Sequence, residues 1–352
     1  MQSSEAAKRQ LDVVINKSRV HFYKPFQIAE ILRKHREEGS FDLNDVEAYR
    51  NASKNWRDEV SRELVGRICT SSQKFQDNIF EANAMSPAAL AKLGEINEQG
   101  GQEGVVEAYI YSAFQQKMGV LNDLKEYLKN ATAENFDLNE FIAGFRRDAG
   151  LRRSIDKVYE ICVYALFSAL VRYLNATVTI QIPDGQKDLL EEFEDFTEIV
   201  LGLTKDENSK TVAAKLYRVG VANAADRGLD MWANFGPAVQ IKHLSLTEEL
   251  AEDIVHQVAA DRIVIVCQSA EQAMITRILT QLGISERVQG VITQDDLQRW
   301  YERCFSEEHK DSVGKTLLAD LYREYINEFP AVGVIVDFMT RRGYDKVEGD
   351  SF

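Results

Sequence analysis

The chain has 352 residues, 45% apolar and 28% charged, as in an ordinary globular protein, and this length allows two domains or one large domain with helical additions. No stretch approaches the roughly 18 consecutive apolar residues of a membrane span, and the N-terminus lacks the apolar core of a signal peptide, so we expect a cytoplasmic protein without membrane partners. The net charge of −14 disfavours a loose, sequence-blind coat on DNA. It does not exclude a nucleic-acid partner, because residues 1–74 carry 14 Lys and Arg against 11 Asp and Glu, which leaves −17 on the remainder.

The first 150 residues are predicted to be mainly helical. Apolar residues recur at helical spacing over 27–36, after Pro25, and again over 55–67. Residues 83–104 are rich in small and turn-forming types and predict a loop. The helical pattern resumes over 105–129. The four cysteines form no CxxC pair, which favours buried free thiols over a zinc site or disulfides.

From residue 154 onward, helical segments alternate with β-branched strands. This order predicts an α/β fold in which one mixed sheet is buried between helices. The predicted elements, in chain order, are a helix at 154–174, a strand at 177–182, an acidic helix at 188–200, a polar loop around 205–210, strands at 229–233 and 238–244 joined by a hairpin turn, a helix at 247–260 capped by Thr247, a strand at 262–267, a helix at 270–282, a strand at 288–292 and a helical tail from 295.

The two strands of the predicted hairpin carry a carboxylate, an amide and an amine. Alternate strand residues share a face, so Gln240 and Lys242 point the same way, and the hairpin brings Asp230 beside them. Phosphodiester hydrolysis needs such a set: a carboxylate to hold Mg²⁺, and an ammonium group to orient water and stabilise developing charge. The alternative is a hairpin with solvent-facing polar side chains. Against it, Lys242 lies in an apolar segment where an unpaired charge would be costly.

These residues and the element order resemble the PD-(D/E)xK nuclease superfamily, in the form Asp230, nine residues, then Gln240-Ile241-Lys242. The resemblance implies a mixed-sheet nuclease core flanked by helices, Mg²⁺ as the cofactor, and Asp230, Gln240 and Lys242 as catalytic residues. Glutamine replaces the usual acid, which leaves the site one negative charge short. The resemblance also implies metal contacts from the Ile241 backbone carbonyl and from Glu160 on the preceding helix. Glu160 is alternatively paired on its helix, for instance with Arg172, or exposed.

Three sequence blocks, at 17–32, 239–254 and 261–267, are similar to the HaeII family of type II restriction endonucleases, as are their spacing and the chain length. The family resemblance implies a bacterial homodimer that cuts double-stranded DNA at the palindrome RGCGCY before the final Y, leaving 3′ overhangs. A cognate DNA methyltransferase is the implied genetic partner. We assign 1–150 as a helical region for DNA contact or dimerisation, 151–300 as the nuclease core and 301–352 as a helical extension.

Several basic and amide side chains are candidate DNA contacts. Arginine can donate two hydrogen bonds to guanine, and asparagine can hydrogen-bond other base edges. Surface lysines and arginines more often contact phosphates. Each group has a plainer interpretation, as an ordinary surface loop or a solvated helix junction. The candidates are Arg218, Asn223 and Arg227 in the predicted loop 218–228, Arg152 and Arg153 at a helix junction, and Lys17, Arg19 and Lys24 near the N-terminus.

Two other functions fit the same residues. The first is a nuclease of the same fold that acts on modified or branched DNA, which would nick only such substrates. The second is a non-catalytic binding module for DNA or protein, in which loss of the Lys242 amine would have no effect. The acidic run at 191–195 is predicted to be a solvated helix face, with a dimer contact as the minority alternative.

Overall fold

The structure, a computed structural model, describes residues 3–18, 20–69, 77–80, 84–99, 104–147, 151–219, 229–280, 286–329 and 334–347. Among these residues, the chain up to Val158 and from Tyr322 onward forms one compact unit, and the chain from Tyr159 to Leu321 forms a second. Within the described ranges, no helix combines the length and apolar character that a bilayer crossing requires.

In the described part of the chain, helices dominate the first unit, and strands occur only in the second. The helices are α1 (Ser4–Lys17), α2 (Tyr23–Glu38), α3 (Val46–Val65), α4 (Pro87–Asn97), α5 (Val105–Lys129), α6 (Leu138–Arg147), α7 (Ile155–Tyr173), α8 (Lys187–Glu192), α9 (Glu194–Val200), α10 (Glu248–Gln257), α11 (Gln272–Thr280), α12 (Gln294–Cys304), α13 (Lys315–Glu328) and α14 (Val334–Arg341). The strands are β1 (Thr177–Gln181), β2 (Ser209–Ala213), β3 (Leu216–Arg218), β4 (Met231–Ala233), β5 (Ala238–Ser245), β6 (Ile263–Ser269) and β7 (Val288–Ile292).

A buried charge network holds the first unit together. Glu30 and Glu107 are 1% and 0% exposed. Arg36 donates two hydrogen bonds of 2.9 Å to Glu107, and the Tyr344 hydroxyl donates a third of 2.6 Å. Arg342 pairs with Glu30. Buried carboxylates are costly unless such partners compensate them, so this network fixes the C-terminal segment against α2 and α5.

The second unit is built around a mixed five-stranded sheet in the order β3-β4-β5-β6-β7. The β3, β4 and β5 strands pair antiparallel, whereas β5, β6 and β7 pair parallel. Parallel neighbours need a crossover, and α10 and α11 supply the two crossovers here. The predicted fold class, a mixed α/β core with a mainly helical N-terminal region, is therefore confirmed.

One face of the parallel strands carries the apolar core of the second unit. Ile263, Ile265 and Cys267 of β6 are completely buried, together with Ala251 of α10 and Ile278 of α11. The predicted cap of α10 is confirmed, since the Thr247 side chain accepts a hydrogen bond from Leu250 N–H. Packing of α10 and α11 on this face fixes the direction of β5, which carries Gln240 and Lys242.

The predicted loop over 83–104 is wrong in its middle, where α4 lies. Ser86 caps this helix by accepting a hydrogen bond from Ala89 N–H, and Pro87 occupies the first turn, where it is compatible with a helix. Leu90 and Leu93 are buried on its inner side. The small residues that suggested a loop instead allow close helix packing.

The prediction of one sheet is also wrong, because the strand after α7 lies outside the main sheet. The β1 strand pairs only with β2, antiparallel, in a separate two-stranded sheet among the described residues. The β2 strand begins at Ser209, at the end of the predicted polar loop. Every residue of β2 is exposed, so its sequence lacks the alternation of buried and exposed positions that reveals a strand.

Candidate active site

The β4–β5 hairpin places Asp230 opposite Gln240. Met231 pairs with Val239 and Trp232 with Ala238, so the same antiparallel register, continued by one residue, aligns Asp230 with Gln240. Residues directly opposite each other share a face of the sheet, and Lys242 is on the same face two residues further along β5. Gln240 and Lys242 thus share a face of β5, and continuation of the observed register brings Asp230 to that face.

A tight turn keeps the hairpin in this register. Gly236 has φ +118°, a conformation that side chains disfavour, and a Cβ there would collide with the Arg262 guanidinium. Arg262 in turn donates a hydrogen bond to the Phe235 carbonyl. The turn is thus fixed to the start of β6, and the register of β4 against β5 is fixed with it.

The Asp230 carboxylate is held by main-chain hydrogen bonding. Its Oδ2 accepts a hydrogen bond of 2.7 Å from Ile241 N–H. The backbone carbonyl of Asp230 accepts a hydrogen bond of 2.9 Å from the N–H of Val219, the residue just after β3. The β4 strand begins only at Met231, so no backbone carbonyl of β4 is opposite the Ile241 N–H. The Asp230 carboxylate accepts that hydrogen bond in place of a backbone carbonyl. Asp230 is therefore tied to the strands on both sides.

The Gln240 side chain is buried, with 3% of its surface exposed. Its Oε1 has no hydrogen-bond partner among the described residues. Leaving a buried polar atom unsatisfied costs about 1–3 kcal/mol, so such an atom needs an explanation, and binding of an ion or a water is a common one. The amide oxygen is therefore available as a ligand on the same face as Asp230.

The Ile241 backbone adds a third oxygen at this position. A strand residue directs its N–H and C=O to the same side, because a hydrogen-bonded pair exchanges both bonds. Since the Ile241 N–H points to Asp230, its carbonyl points to the same strand edge. Nowhere in the described ranges, this position included, do three His, Cys, Asp or Glu side chains gather as a metal site. One carboxylate with two neutral oxygens suits a hard cation such as Mg²⁺, which prefers oxygen ligands and retains several waters.

Lys242 carries an amine at the proposed site, whereas the residue beside it on β6, Cys267, carries a buried thiol. Lys242 is half-buried, so its ammonium can lie at the mouth of the site. Cys267 of β6 is aligned with it in the parallel register. Burial, with a smaller contribution from Asp296, raises the pKa of the Cys267 thiol to about 11. Because a thiol acts as a nucleophile or metal ligand only when ionised, Cys267 is a packing residue at neutral pH.

The structure brings together two predicted site residues with different assigned roles, Glu160 and Arg218. Arg218 Nη1 is 3.8 Å from Glu160 Oε2, and the two side chains are 10% and 5% exposed. Arg218 is aligned with Met231, so it lies on the face of the sheet opposite to Asp230. Arg172, the other partner considered for Glu160, pairs with Asp320 at 2.9 Å. Arg218 also ends a strand, whereas the sequence predicted a loop there.

The other predicted DNA contacts lie on or beside helices, or fall outside the described residues. Arg152 donates a hydrogen bond of 3.2 Å to the Arg146 carbonyl. Lys17 ends α1 and is exposed, and Lys24 is half-buried in the first turn of α2. Arg153 lies in the short 3-10 helix Arg152–Ser154. The positions that fall outside the described residues are Arg19, Asn223 and Arg227.

Sequence reasoning missed an exposed aromatic pair beside Asp230. Tyr217 and Trp232 stack across β3 and β4, with ring centroids 4.4 Å apart and planes inclined by 19°. Trp232 could have been predicted from the sequence, because it follows Asp230 by two residues and strand alternation places it on the same face. The partner Tyr217 was missed, because no strand was predicted over 216–218.

Comparison with known proteins places this chain among restriction enzymes. A model of the HaeII restriction endonuclease family matches residues 7–344. The chain is 50% identical over 344 residues, 97% of each chain, to the type II restriction enzyme NgoBI of Neisseria gonorrhoeae. It is 47% identical over 348 residues, 98% of each chain, to the type II restriction enzyme HaeII of Haemophilus aegyptius. No solved structure matches it.

The contact between Glu160 and Arg218 predicts coupled effects on stability. Arg218→Met removes the guanidinium beside a buried carboxylate, and we expect it to lower the free energy of unfolding by about 3 kcal/mol. Glu160→Gln in that background should recover most of the loss, because a neutral amide is cheaper to bury. Urea unfolding of both single variants and the double variant measures the coupling. Strictly additive effects would show that the two side chains do not interact.

Proposed function

This chain belongs to the HaeII restriction endonuclease family, and we propose that it is a type II restriction endonuclease that hydrolyses phosphodiester bonds in double-stranded DNA. The likeness to two type II restriction enzymes over nearly the whole chain carries this proposal. The common face of Asp230, Gln240 and Lys242 supports it, because it supplies an oxygen site and an amine beside each other. We place its activity in the bacterial cytoplasm, where foreign DNA is met.

The Asp230 carboxylate, the Gln240 amide oxygen and the Ile241 carbonyl are the groups that would hold Mg²⁺. When bound there, Mg²⁺ would polarise the phosphodiester and lower the pKa of water. The hydrogen bond from Ile241 N–H keeps the Asp230 carboxylate in one orientation. The Lys242 ammonium would hold the attacking water and stabilise the charge that develops on the phosphate. Water would form the new bond to phosphorus and lose a proton to solvent while the bond to O3′ breaks. The leaving O3′ would take a proton from solvent, so the products are a 5′-phosphate and a 3′-hydroxyl.

Glu160 belongs to the proposed set as a positioning residue. Its buried carboxylate lies beside Arg218, and Val219 N–H, one residue on, donates to the Asp230 carbonyl. Glu160 would thus act through β3 on the placement of Asp230. A direct metal contact by Glu160 stays a prediction of the superfamily resemblance. The DNA contacts predicted from residue type and position also stay predictions; they are Arg218, Asn223, Arg227, Arg152, Arg153, Lys17, Arg19 and Lys24.

The family resemblance supports a more specific substrate and assembly. We propose the target RGCGCY, cut before the final Y to leave 3′ overhangs, and a homodimer whose two-fold symmetry matches that of the palindrome. Such an enzyme endangers its own genome unless the target is modified. A cognate DNA methyltransferase encoded nearby is therefore its expected genetic partner.

Digestion of a sequenced plasmid with Mg²⁺, followed by mapping of the ends, tests this function. We expect discrete fragments whose ends all lie at RGCGCY. Discrete fragments cut at another sequence would contradict the proposed specificity and leave the enzyme class intact. Nicking confined to modified or branched DNA, or no cutting at all, would contradict the class.

Substitution of the proposed catalytic residues should separate binding from cleavage. Lys242→Ala removes the amine and Asp230→Ala the only carboxylate of the proposed oxygen set, so we expect each to lower kcat by at least about 10³-fold. Binding of the target duplex in Ca²⁺ should survive, because neither change removes a predicted DNA contact. Lys187→Ala, at an exposed lysine of α8, is the matched control. A near-normal cutting rate in either site variant would overturn the site assignment.

The neutral Gln240 predicts a measurable metal requirement. Gln240→Glu adds a second carboxylate to the oxygen set, so we expect half-maximal cleavage at a Mg²⁺ concentration about tenfold lower. Gln240→Met, of similar size, removes the oxygen and should raise that concentration instead. Titration of Mg²⁺ at fixed DNA concentration measures both. An unchanged requirement in both variants would exclude the Gln240 side chain from metal binding.

A further inference from the structure

The stacked pair of Tyr217 and Trp232 is unusually open to solvent for two strand aromatics. Their exposed fractions are 38% and 44%, whereas the adjacent Leu216, Met231 and Ala233 are buried. Strand alternation therefore turns both rings to one face and their apolar neighbours to the other. Stacking across strands stabilises the pairing of β3 with β4, but it does not account for the rings being uncovered.

This open face is the face of the proposed catalytic residues. Trp232 is aligned with Ala238, and the same register aligns Asp230 with Gln240. Trp232 follows Asp230 by two residues, which at about 3.3 Å per residue places the ring about 7 Å along the strand from the carboxylate. A phosphodiester bound at Asp230 would bring its neighbouring nucleotides to the aromatic pair.

The helices that cover this face stop short of the pair. Ala238 packs in the same apolar cluster as Ala251 of α10 and Ile278 of α11. Tyr217 and Trp232, further toward the β3 edge, remain exposed. The aromatic pair thus forms an exposed apolar shelf that borders the proposed site and that the helices described for this unit leave uncovered.

We propose that Tyr217 and Trp232 form an aromatic platform that contacts the nucleoside beside the scissile phosphate. The proposal rests on the proposed function, since it takes DNA to be the molecule bound at Asp230. In duplex DNA the base faces are stacked on one another, so the rings would contact the deoxyriboses and the base edges, and such contacts need no charge on the protein. This mode of contact suits a chain of net charge −14, which repels phosphates at long range. A nucleotide step rises 3.4 Å along one strand, so the platform reaches one or two nucleotides from the cut.

Replacement of the rings by a residue that suits strands tests the platform. In Tyr217→Val with Trp232→Val, β-branched side chains preserve the strand preference of β3 and β4. We expect the dissociation constant for the target duplex in Ca²⁺ to rise about tenfold or more, with a matching rise in KM and a smaller change in kcat. The salt dependence of binding should not change, because no phosphate contact is lost. Phe196→Val, at a 54% exposed aromatic of α9, is the control for loss of surface apolar area.

Intrinsic fluorescence provides a measurement that does not depend on a disruptive variant. The chain has three tryptophans, and Trp232→Phe keeps a ring in the stack while removing one emitter. We expect target duplex in Ca²⁺ to change the emission of the wild-type protein and this change to be largely lost in Trp232→Phe. An emission change that persists in Trp232→Phe would overturn the platform, even if the double valine variant fails to fold.

The remaining outcomes separate the platform from the proposed function. If the folded double variant binds the duplex as tightly as the wild-type protein and has the same KM, the platform is overturned. Cleavage by the wild-type protein would still uphold the proposed function. Light scattering could instead show that the wild-type protein is a dimer and the double variant a monomer. If loss of the dimer accounts for the weaker binding, the platform is also overturned, and the shelf is a contact between two copies of the chain. A wild-type protein that neither binds nor cuts the duplex would overturn both proposals.

Discussion

The hydrogen bond from Ile241 N–H to the Asp230 carboxylate is the interaction on which the candidate site depends. It replaces a main-chain bond of the β4–β5 ladder with a side-chain bond, at the point where β4 begins. A charge-assisted hydrogen bond of this kind contributes about 1.5–3 kcal/mol, which is enough to hold the carboxylate in a single orientation. The same geometry directs the Ile241 carbonyl to the same edge. Continuation of the register then aligns Gln240 with the acid.

The face shared by Asp230, Gln240 and Lys242 could be predicted because it depends on local rules. Strand residues alternate in direction, and the short link between two strands limits them to a hairpin. The cap at Thr247 and the helix over 105–129 were likewise local, and the structure has both. The catalytic roles of these residues are a proposal that the geometry supports.

The errors concern features that local patterns do not contain. The pairing of β1 with β2 joins segments separated by two helices, and the exposed residues of β2 give no alternation to detect. Arg218 was predicted to lie in a loop, because its strand is too short to recognise from the sequence. Its contact with Glu160 depends on how α7 packs against β3, which neither segment specifies alone. The α4 helix was hidden by small residues whose role is close packing.

Charge explains why a neutral side chain can occupy the position of an acid. A second buried carboxylate opposite Asp230 would be repelled by the first and desolvated, and both effects raise the pKa of at least one of the two acids. The hairpin would then be stable only with a cation or a proton between them. Gln240 supplies an oxygen without that penalty, so the register of β4 and β5 does not depend on bound metal. The cost is weaker attraction for a divalent ion. Substrate phosphate, itself an anion, would restore part of the missing negative charge when DNA is bound, which couples metal binding to the presence of the substrate.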